Sequence, residues 1–414
     1  MLKGIHYRRS LLICSGIILC TFAFVKCIDR EANHPKPAAG IQYDQFSGSM
    51  VCANCHKNIY DNHIHTAHYL TTRPASEEYI KGSFEPGKNR FSYDPDMTVV
   101  MEKRDSGFYQ VGYYKGVERI AKRFDIVVGS GSKGQTYITR SHDRLYQLPV
   151  SYFTAAGKWA NSPQFPTHPV IFNRTITSRC LECHSTFAQK IPASNRQPEE
   201  FSQNQLIYGV DCEKCHGPAA KHVEFQSQNP KETKGKYIIN PAAFSRQQNL
   251  DLCALCHGGR LQKTKPSFEF VSGDKLSDYF VVDTLTPAPD EIDVHGNQLG
   301  LLRSSKCFRM SQSMTCTTCH NTHENERGKI VLFSQRCISC HNQEQGISCK
   351  MNASLGAVIN QNCIDCHMPL KPSKSITELL PGETKPTAAL IRSHFIGIYP
   401  DETTKYKDRS HKPN

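Results

Sequence analysis

The sequence predicts a mostly α and irregular fold of short helices, with a small antiparallel β module inserted behind its first segment. Three observations predict it. The pattern CxxCH recurs seven times in 414 residues, six of the copies crowd into residues 180–367, and the gap behind the first copy is rich in Val, Ile, Thr, Tyr and Phe.

The copies are Cys52, Cys55 and His56; Cys180, Cys183 and His184; Cys212, Cys215 and His216; and Cys253, Cys256 and His257. Cys316, Cys319 and His320, then Cys337, Cys340 and His341, then Cys363, Cys366 and His367 complete the set. Such a pattern suits covalent haem: both thiols add to the vinyl groups of one porphyrin, and the adjacent histidine becomes the proximal ligand of its iron. Neither a zinc ribbon nor a disulfide framework needs a histidine directly after the second cysteine. With 19 cysteines and 19 histidines in the chain, chance supplies about 0.04 copies. The cofactor reading is therefore seven covalently attached haem c groups.

Taken in order, residues 1–26 read as a signal peptide or N-terminal anchor. Lys3, Arg8 and Arg9 precede an apolar run from Leu11 to Val25, which suits a secretory segment better than a bilayer span of about 20 residues. This agrees with haem attachment outside the cytoplasmic membrane, so an exported protein on the periplasmic or cell-surface side is expected. Cys27 opens a Pro- and Ala-rich tether over residues 27–45. It is a lipidation candidate, and membrane association through the N-terminus is expected; an uncleaved anchor and simple cleavage are the alternatives.

Residues 46–90 form the first haem segment, where KNIYDNHIHTAHYL behind His56 predicts a helix. Residues 91–160 form the β-rich module, with strands of alternating apolar residues broken by DSG, KG, GSGSKG and SHD. Four to six strands are expected. Gly129, Gly131 and Gly134 match a dinucleotide fingerprint by letter, but the QTYITR that follows is strand-like, so the segment reads as a hairpin loop.

Residues 161–395 form the six-haem core. At roughly 30 residues per haem it cannot build an ordinary apolar interior, so short helices wrapped around stacked porphyrins are expected. Residues 396–414 read as a polar tail.

Charge points the same way. The formal net charge of +12 falls to +8 without Lys3, Arg8, Arg9 and Lys26. Seven ferric haems, each contributing about −1 through its propionates, bring the protein near neutrality. Lys and Arg are then propionate partners and solvated surface, and no nucleic-acid partner is expected.

Eight histidines compete for the distal side of the irons: His63, His65, His68, His168, His222, His295, His323 and His394. His65 and His68 lie three apart on the expected helix, and His63 ranks below them. His6, His34, His142 and His411 read as exposed or, for His6, as part of the leader. Cys307 and Cys349 stand outside the motifs, with a disulfide, free thiols and a reactive or ligating thiol all open. Met310 and Met314 read as packing against a haem face.

The runs CLECHST, GVDCEKCHGPAAKH, CTTCHNTH and CIDCHMP resemble the shared haem core of the multihaem cytochromes related to cytochrome c nitrite reductase, hydroxylamine oxidoreductase and octahaem tetrathionate reductase. They also resemble the tetrahaem electron carrier of nitrifiers. The resemblance covers about residues 46–70 and 165–395 and leaves the β module outside. It implies close haems passing electrons, with His222 and His323 serving neighbouring haems. It does not supply an activity, since the lysine-ligating CxxCK of the reductases is missing and Gly346 stands where its first cysteine would be.

The expectation is thus an electron carrier of a respiratory chain, with redox proteins or a membrane respiratory complex as partners. The alternative is a reductase or oxidase of a small nitrogen or sulfur species at one open haem. Intact mass of the denatured chain is expected to carry seven haems; a lower count, with motif cysteines still open to alkylation, would overturn the reading.

Overall fold

The computed structural model describes residues 40–191, 198–281, 287–342, 344 and 348–410. The apolar leader, Cys27, His34 and His411 lie outside the described residues. Residues 42–414 form one compact unit, so the β-rich and motif-bearing segments share a single body.

The first helix, α1 (Ser49–His63), carries the first motif and kinks at His56. It stops earlier than the sequence predicts, at His63. The Thr66 hydroxyl donates to the His63 carbonyl at 2.7 Å, a local bond that competes with further helical turns. His65 and His68 therefore do not share a helical face, and His65 is exposed.

Strands begin sooner and are more numerous than expected. β1 (Thr72–Pro74) precedes a four-stranded antiparallel sheet of β2 (Arg90–Ser92), β3 (Met97–Arg104), β4 (Gly107–Tyr114) and β5 (Val117–Arg123). A seven-stranded sheet joins β1 to β6 (Ile126–Val128), β7 (Gly134–Ser141), β8 (Arg144–Gln147) and β11 (Arg174–Thr175), with β9 (Val150–Phe153) on β7 and β10 (Lys158–Asn161) on β9. GSGSKG joins β6 to β7 as an antiparallel connection, with no helix behind it. His142 takes φ +54° in the turn between β7 and β8.

The centre of this region is Trp159, 1% exposed, packed with Phe124, Tyr137, Val99 and Met101. Its indole N–H donates to the Ser83 carbonyl at 2.8 Å, which satisfies the ring's single polar group. A Cβ at Gly82 would collide with the indole, so this position requires glycine.

The motif-rich part is less helical than predicted. Helices α2 (Ser178–His184), α3 (Cys212–His216), α4 (Ala220–Gln228), α5 (Arg246–His257), α6 (Gln298–Ser304), α7 (Lys306–Met310), α8 (Ile330–Ile338), α9 (Asn352–Leu355) and α10 (Cys363–His367) are short, as expected. Three two-stranded antiparallel sheets interleave them: β12 (Ser185–Lys190) with β13 (Phe201–Tyr208), β14 (Gln262–Lys263) with β15 (Phe280–Val281), and β16 (Leu370–Glu378) with β17 (Thr387–Arg392). Local pairing satisfies backbone polar groups that helices of four to twelve residues leave unpaired. The tail is also ordered in part: α11 (Pro400–Ser410) is a helix packed on α10.

Trp159→Ala should lower unfolding free energy by about 3–5 kcal/mol, read by denaturant titration, because it empties the centre of this core. Glu378, on β16, is buried with Oε2 lacking a hydrogen bond. Desolvation raises its pKa from 4.5 to about 8. Between those values the folded carboxyl keeps a proton that the unfolded chain has lost, so stability should fall as pH rises through that window and level off above it. Glu378→Gln should remove this slope in melts at successive pH.

Candidate haem-binding sites

A helical turn sets residues i, i+3 and i+4 on one face, which is what CxxCH needs to offer two thiols and an imidazole to one ring. The motifs obey this. Those at Cys52, Cys180, Cys212, Cys253 and Cys363 lie within α1, α2, α3, α5 and α10, that at Cys337 closes α8, and that at Cys316 begins on a 3-10 turn. Asp211 caps α3 by accepting from the Cys212 amide at 2.8 Å, and Ser245 caps α5 with Gln248 in a reciprocal box.

Several motif histidines face a second histidine from a distant segment. The ring centroids of His257 and His68 are 6.2 Å apart, those of His216 and His323 6.1 Å, and those of His320 and His394 5.9 Å. Two imidazoles on opposite faces of one metal, each about 2.0 Å from it and with the ring centre about 1.1 Å beyond, would be about 6.2 Å apart. The donor set thus fits a six-coordinate haem iron at these three motifs. His184 lies within electrostatic reach of His295.

Protonation supports the fit. Burial pushes His184, His257 and His394 down to about 4 and also lowers His68, His295, His320 and His323. All are neutral imidazoles at pH 7, the form that binds metal. His216 and His367 place Nδ1 at 2.9 Å and 2.7 Å from the carbonyls of Ile239 and Gly397, and His222 places its own at 2.8 Å from that of Lys236. A carbonyl only accepts, so Nδ1 carries the proton and Nε2 keeps its lone pair for iron.

The other candidates separate by environment. His222 lies on α4, which packs against the turn Tyr43–Gln45 leading into the first motif. His168 is exposed, with Nε2 3.7 Å from Asp94 in the β-rich region. His63 is buried instead, its Nε2 3.5 Å from Asp211 Oδ1 and its ring 6.4 Å from that of His323. Cys307 and Cys349 are both free thiols, and Cys307 lies near Cys340.

The motifs also touch one another. Cys52 is a hydrogen-bond neighbour of Cys212, Cys183 of Cys256, Cys253 of Cys316 and Cys337 of Cys363. Cys215 is near Cys253, and Cys340 near Cys319. The first motif thus adjoins the third, the third the fourth, the fourth the fifth, and so on to the seventh, with the second beside the fourth.

Sequence reasoning overlooks the variable positions of CxxCH, where acids, two of them buried, clamp remote segments. Glu213 accepts from the amides of Ser47, Gly48 and Ala219, all at 2.8 Å. Glu182, 1% exposed, accepts from Arg179, from Lys263 and from the Phe268 amide. Asp365 pairs with Arg392, which also donates to the Ile364 and Met368 carbonyls. A carboxyl inside an otherwise degenerate motif was the available signal.

The profile of the family described as cytochrome c554 and c-prime matches residues 160–217, which hold the second and third motifs. Among solved structures the chain is similar to the outer cell wall cytochrome OcwA, at 16% identity and a TM-score of 0.54, over 87% of this chain and 81% of that one. No curated protein matches. The likeness to OcwA shows a shared fold. Together with the motifs, the profile match supports a multihaem c-type cytochrome with covalently bound haem.

Proposed function

We propose that the chain binds seven haem c groups and carries electrons outside the cytoplasmic membrane as part of a respiratory chain. The opposed imidazoles carry this reading. An iron held on both faces by histidine exchanges electrons without taking a substrate, and neighbouring motifs keep the porphyrins within transfer range of one another. His56, His184, His216, His257, His320, His341 and His367 are the proximal ligands. His68, His323 and His394 are the distal ligands of the fourth, third and fifth haems, and His295 and His222 serve the second and first. His65 and His168, both exposed, are the weakest of the sequence candidates. The haem itself supplies the one-electron chemistry; these residues hold the imidazoles neutral, oriented and shielded from water.

Redox proteins or a membrane respiratory complex are the partners this reading requires. Export agrees with haem attachment outside the cytoplasm and with the outer cell wall for which OcwA is named. Among the described residues no helix is long and apolar enough to cross a membrane, and the proposed anchor is the N-terminus, with Cys27 as its lipidation candidate. A second reading, reduction or oxidation of a small nitrogen or sulfur species at one open haem, rests on His56, His341 and His367, which show no opposed imidazole ring among the described residues.

Electron paramagnetic resonance of the oxidised protein separates the two. The carrier predicts low-spin signals throughout, and His68→Ala should turn one haem in seven high-spin and open to cyanide. A native high-spin fraction of that size, with turnover of nitrite, hydroxylamine or tetrathionate, would establish the enzyme instead.

A further inference from the structure

Arg73, on β1, is a half-buried cation with one edge of its guanidinium, Nε and Nη2, turned inward and unpaired among the described residues. Its guanidinium carbon lies 3.1 Å from the centre of the Tyr69 ring, which holds the plane of the fork in place. Nε and Nη2 are both buried without a hydrogen-bond partner. These two nitrogens form one edge of the guanidinium, the edge that receives both oxygens of a carboxylate.

The surroundings are polar and bounded by haem segments. Asp211 is in electrostatic reach of Arg73, but its Oδ1 already caps the third motif through the Cys212 amide. His63 stands beside Asp211 and near His323, and Tyr69 lies close to Tyr60 of the helix that bears the first motif. A buried, unpaired guanidinium edge is costly, and its presence calls for an anion delivered by the folded, loaded protein.

We infer that Arg73, aligned by Tyr69, is a bidentate clamp for a carboxylate, and that its occupant is a haem propionate. The inference rests on the haem reading given above. Of the two sources of a carboxylate, a propionate is covalently tethered inside the same body, whereas a free acid would have to reach a buried fork. Arg73 is then a positioning residue: it neutralises a propionate and so stabilises the reduced, less positive state of one haem.

Spectroelectrochemical titration of the full chain, with and without Arg73→Gln, tests this. One of the seven couples should move to lower potential while the others stay. Arg73→Lys, which keeps the charge but loses the fork, should give a smaller shift of the same couple, and it carries the test if the glutamine variant does not fold. Unmoved couples in a folded variant would overturn the clamp. So would a saturable effect of acetate, at constant ionic strength, on the wild-type couple that Arg73→Gln abolishes, since the fork would then take a free acid. Intact mass of the same sample keeps the outcomes apart: too few haems sinks the haem reading, whereas seven haems with unmoved couples sinks the clamp alone.

Discussion

The opposition of two imidazoles across a fixed gap is the constraint on which the rest of the structure depends. His68 meets His257, His323 meets His216 and His394 meets His320, and each meeting joins segments far apart in the chain. A gap wide enough for a metal and narrow enough for two bonds leaves only about 0.2 Å of tolerance per bond. Short helices, small sheets and turns are arranged to meet it, which is why regular secondary structure is brief wherever motifs are dense.

Precision of that kind needs rigid supports, and the acids inside the motifs provide them. Glu213 gathers three amides, Glu182 two cations and an amide, and Asp365 an arginine that reaches two carbonyls. A carboxylate shielded from water loses stability with each donor removed, most of all where it is buried, as at Glu213 and Glu182. Each therefore ties the placement of its own motif to a remote segment, and a motif cannot shift without breaking bonds elsewhere.

Much of this was legible in the sequence because covalent chemistry is strict about order and spacing. CxxCH marks the proximal side of every proposed site, and the alternation of Val, Ile and Tyr marked the strands behind the first motif. The helix through His65 and His68 was misread, because one hydroxyl at Thr66 diverts the backbone at His63. The sheets among the motifs were missed for a related reason: runs such as FSQNQLIY become strands only when a partner lies beside them, and propensity alone does not announce that. His63 was ranked too low and Arg73 was passed over, because the burial of an imidazole or of one guanidinium edge has no local signature.

Adjacency of the first motif to the third, with Glu213 gripping the backbone just ahead of Cys52, bears on how the protein is made. If the chain is exported as proposed, threading outward from its N-terminus would present Cys52 and Cys55 long before Cys212 emerges. Until then Glu213 could not grip the backbone ahead of Cys52, and the first motif would stay open to haem attachment. Closure of the first motif would then wait for a segment far later in the chain, and that delay, imposed by a long-range contact, would give attachment time to run ahead of burial.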